Sequence, residues 1–262
     1  MSKLLFALLP LAFACQDPPA PAEPASAAPA PAAEIHAVHE DGTHGEMVAG
    51  HSFANAEQWA KLFDDPGRDA WQKPVELVAA LELAPGMTVA DIGAGTGYLE
   101  GHLAAAVGAE GRVIAIDSEP AMVEYMKARV QREGTPQVEV RQSEAGDSSL
   151  AEAEADLILM VNTYHHITER PAYFARLGAA LRPGGQLVVV DYHPGDAPHG
   201  PPAVMRVDPS VVQAELEGAG WGLRKSLPLL PEQFVQVYSL GPVKVEPVID
   251  APAPVAPAVP VE

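Results

Sequence analysis

The sequence predicts a three-layer α/β fold: a mostly parallel, seven-stranded sheet between helices, closed by an antiparallel hairpin at its C-terminal end. Three observations carry this. From residue 88 onward, strand-like and helix-like stretches alternate. Two of the strand-like stretches, 156–161 (DLILMV) and 187–191 (LVVVD), are continuously apolar, as strands buried on both faces are. The last two, 221–227 and 233–240, have no long helix between them, so they pair antiparallel.

Taken in order, residues 53–83 read as short helices. Trp59, Leu62 and Phe63 keep helical spacing, 64–67 (DDPG) breaks it, and Val75, Val78 and Leu81 resume it. A strand follows at 88–92, then a helix with Leu99, Leu103 and Val107 on one face. Residues 112–117 (RVIAID) form the second strand, and Met122, Met126 and Val130 a helix face. After a short strand at 138–141 and the buried one at 156–161, a helix carries Phe174, Leu177 and Leu181. The RPGG at 182–185 stops it. The strand at 187–191, a helix marked by Val212 and Leu216, and the final two strands complete the domain.

The flanks differ in composition. Residues 1–14 open with Lys3 and an apolar run, 4–13, of signal-peptide length, too short to span a bilayer as a helix. Cys15, the chain's one cysteine, follows at once. This resembles the lipobox of bacterial lipoproteins, with Ala12 where Leu is usual; 12–14 also fits the A-x-A pattern of ordinary signal cleavage. Either way the mature chain begins at Cys15. The expectation is a lipid anchor there and a place in the cell envelope; a soluble periplasmic protein is the alternative. Residues 16–33 are Pro/Ala-rich and read as an extended spacer, as does the tail 241–262. Between spacer and domain lie His36, His39, His44 and His51. They lack a helix-face ligand motif, so no metal is expected. The organisation is thus a signal (1–14), a lipidated linker (15–52), a domain (53–240, with helices to 83 and core from 84) and a tail.

With 16 Lys and Arg against 35 Asp and Glu, the chain carries a formal charge of −19. Such a surface repels phosphate backbones, so nucleic acid is excluded as a partner.

Residues 89–100 read VADIGAGTGYLE. Gly93, Gly95 and Gly97 stand at alternate positions after Asp91, at the first strand–helix turn. Ligands of parallel sheets bind there: glycines let the backbone approach, and the next helix offers free N–H groups. The dinucleotide pattern G-x-G-x-x-G fails at Tyr98, and no Lys–Ser/Thr follows as in a phosphate-binding loop.

Over roughly 74–240 the chain resembles class I S-adenosylmethionine-dependent methyltransferases, which are Rossmann-like. Four segments in order carry the resemblance: LAPGMTVADIGAGTGYLE (83–100), Asp117 closing the second strand, RQSEAG (141–146) and LRPGGQLVVVD (181–191). It implies S-adenosyl-L-methionine as cofactor. Asp91, Gly93, Ala94, Gly95 and Gly97 would line it, and Asp117 would take both ribose hydroxyls. Ser118, Met122 and Asn162 would contact it, and Glu144 would sit near the adenine. The family usually has Gly-Asp where this chain has Ser143-Glu144.

Acceptor-side residues of the family follow the fourth strand, here NTYHHI at 162–167. His165 and His166 read as a general base or as a polar wall. Tyr164 reads as orienting the acceptor or as packing in the core. The loop 192–209, rich in Pro and Gly, reads as a lid, with His193, His199, Met205 and Arg206 as contacts. Trp59, Phe63, Arg68, Trp71 and Gln72 either close over the cofactor or pack. The expected activity is methyl transfer to a small molecule. Arsenic-methylating relatives would need thiol clusters that one cysteine does not supply. The alternative is a membrane-tethered binding module that keeps the fold without the chemistry.

Overall fold

Strand β1 (Thr88–Ile92) is buried along its whole length and forms the centre of the sheet. It pairs in parallel with β2 (Arg112–Asp117) on one side and β4 (Ala155–Val161) on the other. β3 (Val138–Gln142) lies outside β2, and β5 (Leu181–Tyr192) outside β4. Then come β7 (Gln233–Leu240) and, at the edge, β6 (Trp221–Leu227), giving the order β3-β2-β1-β4-β5-β7-β6. β7 runs against both neighbours, which is the hairpin expected of the last two strands. The computed structural model describes residues 53–241. The signal, Cys15, the spacer, His36, His39, His44, His51 and the tail lie outside the described residues.

Alternation along the strands divides the core in two, because successive side chains point to opposite faces. Ala90, Ile92, Ile114, Ile116, Ile158 and Met160 pack on one face, under α6 (Arg170–Leu177) and α7 (Pro209–Gly218). Val89, Val113, Ala115, Leu157 and Leu159 pack on the other. There they meet α3 (Pro74–Ala80), α4 (Glu100–Val107) and α5 (Pro120–Glu133). Burial on both faces is why these strands read as unbroken apolar runs. Leu103 and Val107 on α4, Met126 on α5, and Val212 and Leu216 on α7 are buried as their spacing predicts.

The N-terminal helices are α1 (Ala56–Phe63), a 3-10 turn (Pro66–Arg68), α2 (Asp69–Gln72) and α3. α1 is capped by the Asn55 side chain, which accepts from Gln58 N–H. One expectation is corrected at β5. Leu181 does not continue the helix: α6 stops at Leu177, a 3-10 turn follows, and Leu181 pairs with Ala155. The next paired residues are Leu157 and Gln186, so RPGG is an irregularity within the ladder's reach rather than a stop before it.

Candidate functional site

Strand order reverses between β1 and β4, so the loops at their carboxyl ends open side by side, where parallel sheets take their ligands. The β1 loop holds Gly93, Gly95 and Gly97 at φ of +79°, +61° and +81°, which L side chains rarely adopt. Gly93 and Ala94 N–H both donate to Ile116 O, at 2.8 and 3.0 Å, fastening the loop to the end of β2. A Cβ on Gly93 would stand 2.3 Å from Thr163 Oγ1, so only glycine fits against the β4 loop.

Asp117 closes β2. Its Oδ2 accepts from Gly95 N–H at 2.8 Å and its Oδ1 from Glu119 N–H at 2.9 Å. Burial raises its pKa, and the two N–H groups oppose that rise. Each oxygen carries one bond and keeps acceptor capacity for another, which fits the two hydroxyls of a ribose. Asp91 is buried at the end of β1 and raised to about 7 by desolvation; Glu100 opposes the rise by hydrogen bonding, while Asp117 adds to it. Glu100 is buried beside it with no donor for either oxygen. A proton shared between the two carboxyls satisfies both.

The segment 56–72 covers this loop. Asp64 Oδ1 accepts from Thr96 Oγ1 and from Arg129 Nη1, both at 2.8 Å. Tyr98 donates to Asp69, and Phe63 lies over Gly95. Gln72, fully buried, donates to Gln233 Oε1 at 2.8 Å, and Gln233 donates to Asn162 Oδ1. Asn162, at φ +58°, is thereby joined through two amides to the cover.

On the acceptor side the two histidines separate. The His165 side chain is 2% exposed, and its Nδ1 lies 2.9 Å from both oxygens of the fully buried Asp191. Because the carboxylate only accepts, Nδ1 carries the proton. Asp191 also accepts from the N–H groups of His165 and Tyr192. The His166 ring lies 4.1 Å from that of His165, tilted by 44° against it, and reaches solvent. The buried part of its ring, with His165 next to it, lowers its pKa to about 4, so it is neutral near pH 7. Phe53 meets it edge-on at 6.0 Å, in a group of half-buried aromatics with Trp59 and Phe63.

Tyr164 packs in the core: it is fully buried, stacked on Phe174, and its hydroxyl donates to Glu215 at 2.5 Å. Of the cofactor-side residues expected from the sequence, Asp91, Gly93, Ala94, Gly95, Gly97, Asp117 and Asn162 line the two adjoining loops and the strand ends they continue. Met122 is buried in the first turn of α5, while Ser118 and Glu144 are exposed beyond β2 and β3. In the long loop, Arg206 is an organiser: it donates to the carbonyls of Gly195, His199 and Pro201 at 2.8–2.9 Å. His199 stacks on Trp71 at 4.6 Å and bonds Glu232. Sequence reasoning passed over Asp191, Glu100, Asp64 and Gln233. Asp191 left a signal, an acid ending an apolar strand; the other three did not.

The family of methyltransferase domains matches residues 89–185. A S-adenosylmethionine-dependent methyltransferase from Aquifex aeolicus is similar in structure, at 29% identity and a TM-score of 0.67, over 70% of this chain and 97% of that one. An arsenite methyltransferase from Halobacterium salinarum is 30% identical over 42% of this chain and 28% of its own length. A ubiquinone/menaquinone biosynthesis C-methyltransferase from Shewanella frigidimarina is 27% identical over 47% of this chain and 48% of its own. The chain thus spans less than half the length of these two curated relatives. Strand order and the matched segment agree: the described residues have the α/β fold of class I methyltransferases, residues 89–185 match a methyltransferase domain, and the similar Aquifex aeolicus protein is S-adenosylmethionine-dependent.

Proposed function

We propose that the protein transfers the methyl group of S-adenosyl-L-methionine to a small, largely apolar acceptor. The observation that carries this is the Asp117 carboxylate, fixed by Gly95 and Glu119 N–H beside the glycine loop and a few residues from the histidine wall across Thr163. When bound, the cofactor supplies an electrophilic methyl on a sulfonium. Asp117 would accept hydrogen bonds from its ribose hydroxyls, and the backbone of the glycine loop would line its edge. His166, neutral and solvent-facing, accepts a hydrogen bond or a proton from an acceptor O–H or N–H. His165 and Asp191 hold the His166 ring in place from behind. Phe53, Trp59 and Phe63 offer the apolar wall. The single cysteine supplies no thiol pair for arsenic. Cys15 after its apolar run supports an envelope location through a lipid anchor, to be tested by incorporation of labelled palmitate in wild type and Cys15→Ala.

Calorimetric titration with S-adenosylmethionine, S-adenosylhomocysteine and NAD tests the cofactor reading. The first two bind at micromolar concentration, NAD does not, and Asp117→Ala weakens both by more than about 100-fold, the loss of two charge-assisted bonds. Labelled-methyl transfer to a panel of small phenols, amines and quinols then separates an enzyme from a binding module: binding without transfer to any class favours the module.

A further inference from the structure

A groove of about 380 Å³ runs along the outer side of α3 and α4. Val75, Val78 and Ala79 line it from α3, and Gly101, Ala105 and Ala106 from α4. The small residues of α4 leave room for an extended chain between the two helices. Val75 is 63% exposed there, apolar surface that a covering segment would take out of water. Among the described residues none lies over the groove.

The course of the chain says what covers it. Glu82, which follows α3 in the groove's lining, bonds Lys225 of β6 at 2.6 Å. Lys225 is paired with Val237, four residues before Gly241, so the described chain ends about 13 Å along the sheet from that position. Gly241 is held there by its N–H on Gly220 O, at 2.9 Å. Residues 242–262 follow, and a Pro-rich chain of that length reaches about 65 Å. Their composition differs from that of the other Pro/Ala-rich stretch. Residues 16–33 contain no Val, Leu, Ile, Met or Phe, whereas 242–262 contain six valines and Ile249. A solvated spacer has no use for seven β-branched side chains. Extended Pro-rich segments dock in apolar grooves because little conformational entropy remains to be lost. So short a tether keeps the segment at a local concentration on the order of millimolar. Lys244, the one base of the tail, is opposite in sign to Glu82 at the near end of the groove.

We propose that the protein's own C-terminal segment, beginning with residues 243–249, docks in the groove between α3 and α4. Gly101 stands in the first turn of α4, so the docked segment braces the helix that leads out of the glycine loop. Nothing in this depends on the methyl-transfer reading.

The test is paramagnetic relaxation in the full chain carrying Cys15→Ala and a nitroxide on Ala251→Cys. Amide signals of residues 75–79 and 101–106 are lost and return when the nitroxide is reduced. Those of α6, on the other face of the sheet, stay. Ala105→Glu, at an exposed helix position, restores the lost signals, and so does Val248→Asp combined with Ile249→Asp. Signals undiminished in the starting protein overturn the proposal, as do losses that survive both sets of substitutions. A mixture of isotope-labelled chain without nitroxide and unlabelled chain with it shows no loss. Equal losses in that mixture put a second copy's tail in the groove and overturn the proposal as well.

Discussion

The two sides of the seam between β1 and β4 are built by different means. On the cofactor side the main chain does the holding: three glycines at positive φ, two N–H groups on Ile116 O, and a carboxylate fixed by two more. On the acceptor side the side chains do it: a histidine locked on Asp191, a second tilted against the first, and aromatics brought in from α1 and the residues before it. A ligand met by the main chain leaves its mark in glycine spacing, because only glycine allows the geometry. A ligand met by side chains leaves its mark only as residue types, and the same types serve in cores.

The largest expected effect lies in the buried acids of the cofactor side. Asp91 carries its proton up to about 7 in the folded chain, against 3.8 ordinarily, a difference worth roughly 4 kcal/mol if undiminished. The folded state holds the proton that the unfolded state has released. Stability from this group is therefore full below about pH 4 and is lost as pH rises through about 7. Melting of the unliganded protein should show a falling Tm over that window, and Glu100→Gln, whose amide donates without titrating, should flatten it. A slope unchanged in Glu100→Gln would take the shared proton out of the comparison.

Next in size is Gly93→Ala. The new Cβ meets Thr163 at φ +79°, so about 3 kcal/mol of stability and most affinity for S-adenosylhomocysteine should go. Normal binding by this variant would mean that the main chain is not the holder. On the acceptor side the two histidines should differ. His165→Ala leaves the Asp191 carboxylate buried with only backbone donors and costs about 2 kcal/mol in denaturant unfolding. His166→Ala costs under about 0.5 kcal/mol, being a surface change, leaves S-adenosylhomocysteine binding as it was and slows methyl transfer. Equal stability losses would erase the division of labour. The smallest effect belongs to Glu144→Gln: an exposed side chain, it should change cofactor affinity by no more than about threefold in calorimetry.

The same contrast explains what could be read in advance. β1, β2, β6 and β7 keep the bounds read from the sequence, because two-faced burial and a missing helix are both visible in it. Leu181 was misplaced because its apolar side chain suits the helix phase as well as the strand. The choice is made by the main-chain pairing with Ala155, which no local pattern records. Tyr164 stands one residue from a histidine of the site and yet belongs to the core, since Phe174 and Glu215 reach it from α6 and α7. Asp91 and Asp117 were legible from their distance to the glycines.

The sheet order has a consequence for how the chain comes into being. β7 is the last of the seven strands to be synthesised, yet it lies inside the sheet, between β5 and β6, with all but its final residue buried. Until it arrives, β5 presents a bare hydrogen-bonding edge and β6 has nothing to pair with. The sheet is therefore completed from within: the strand made last joins β6 to the other five, and no shorter chain can close it.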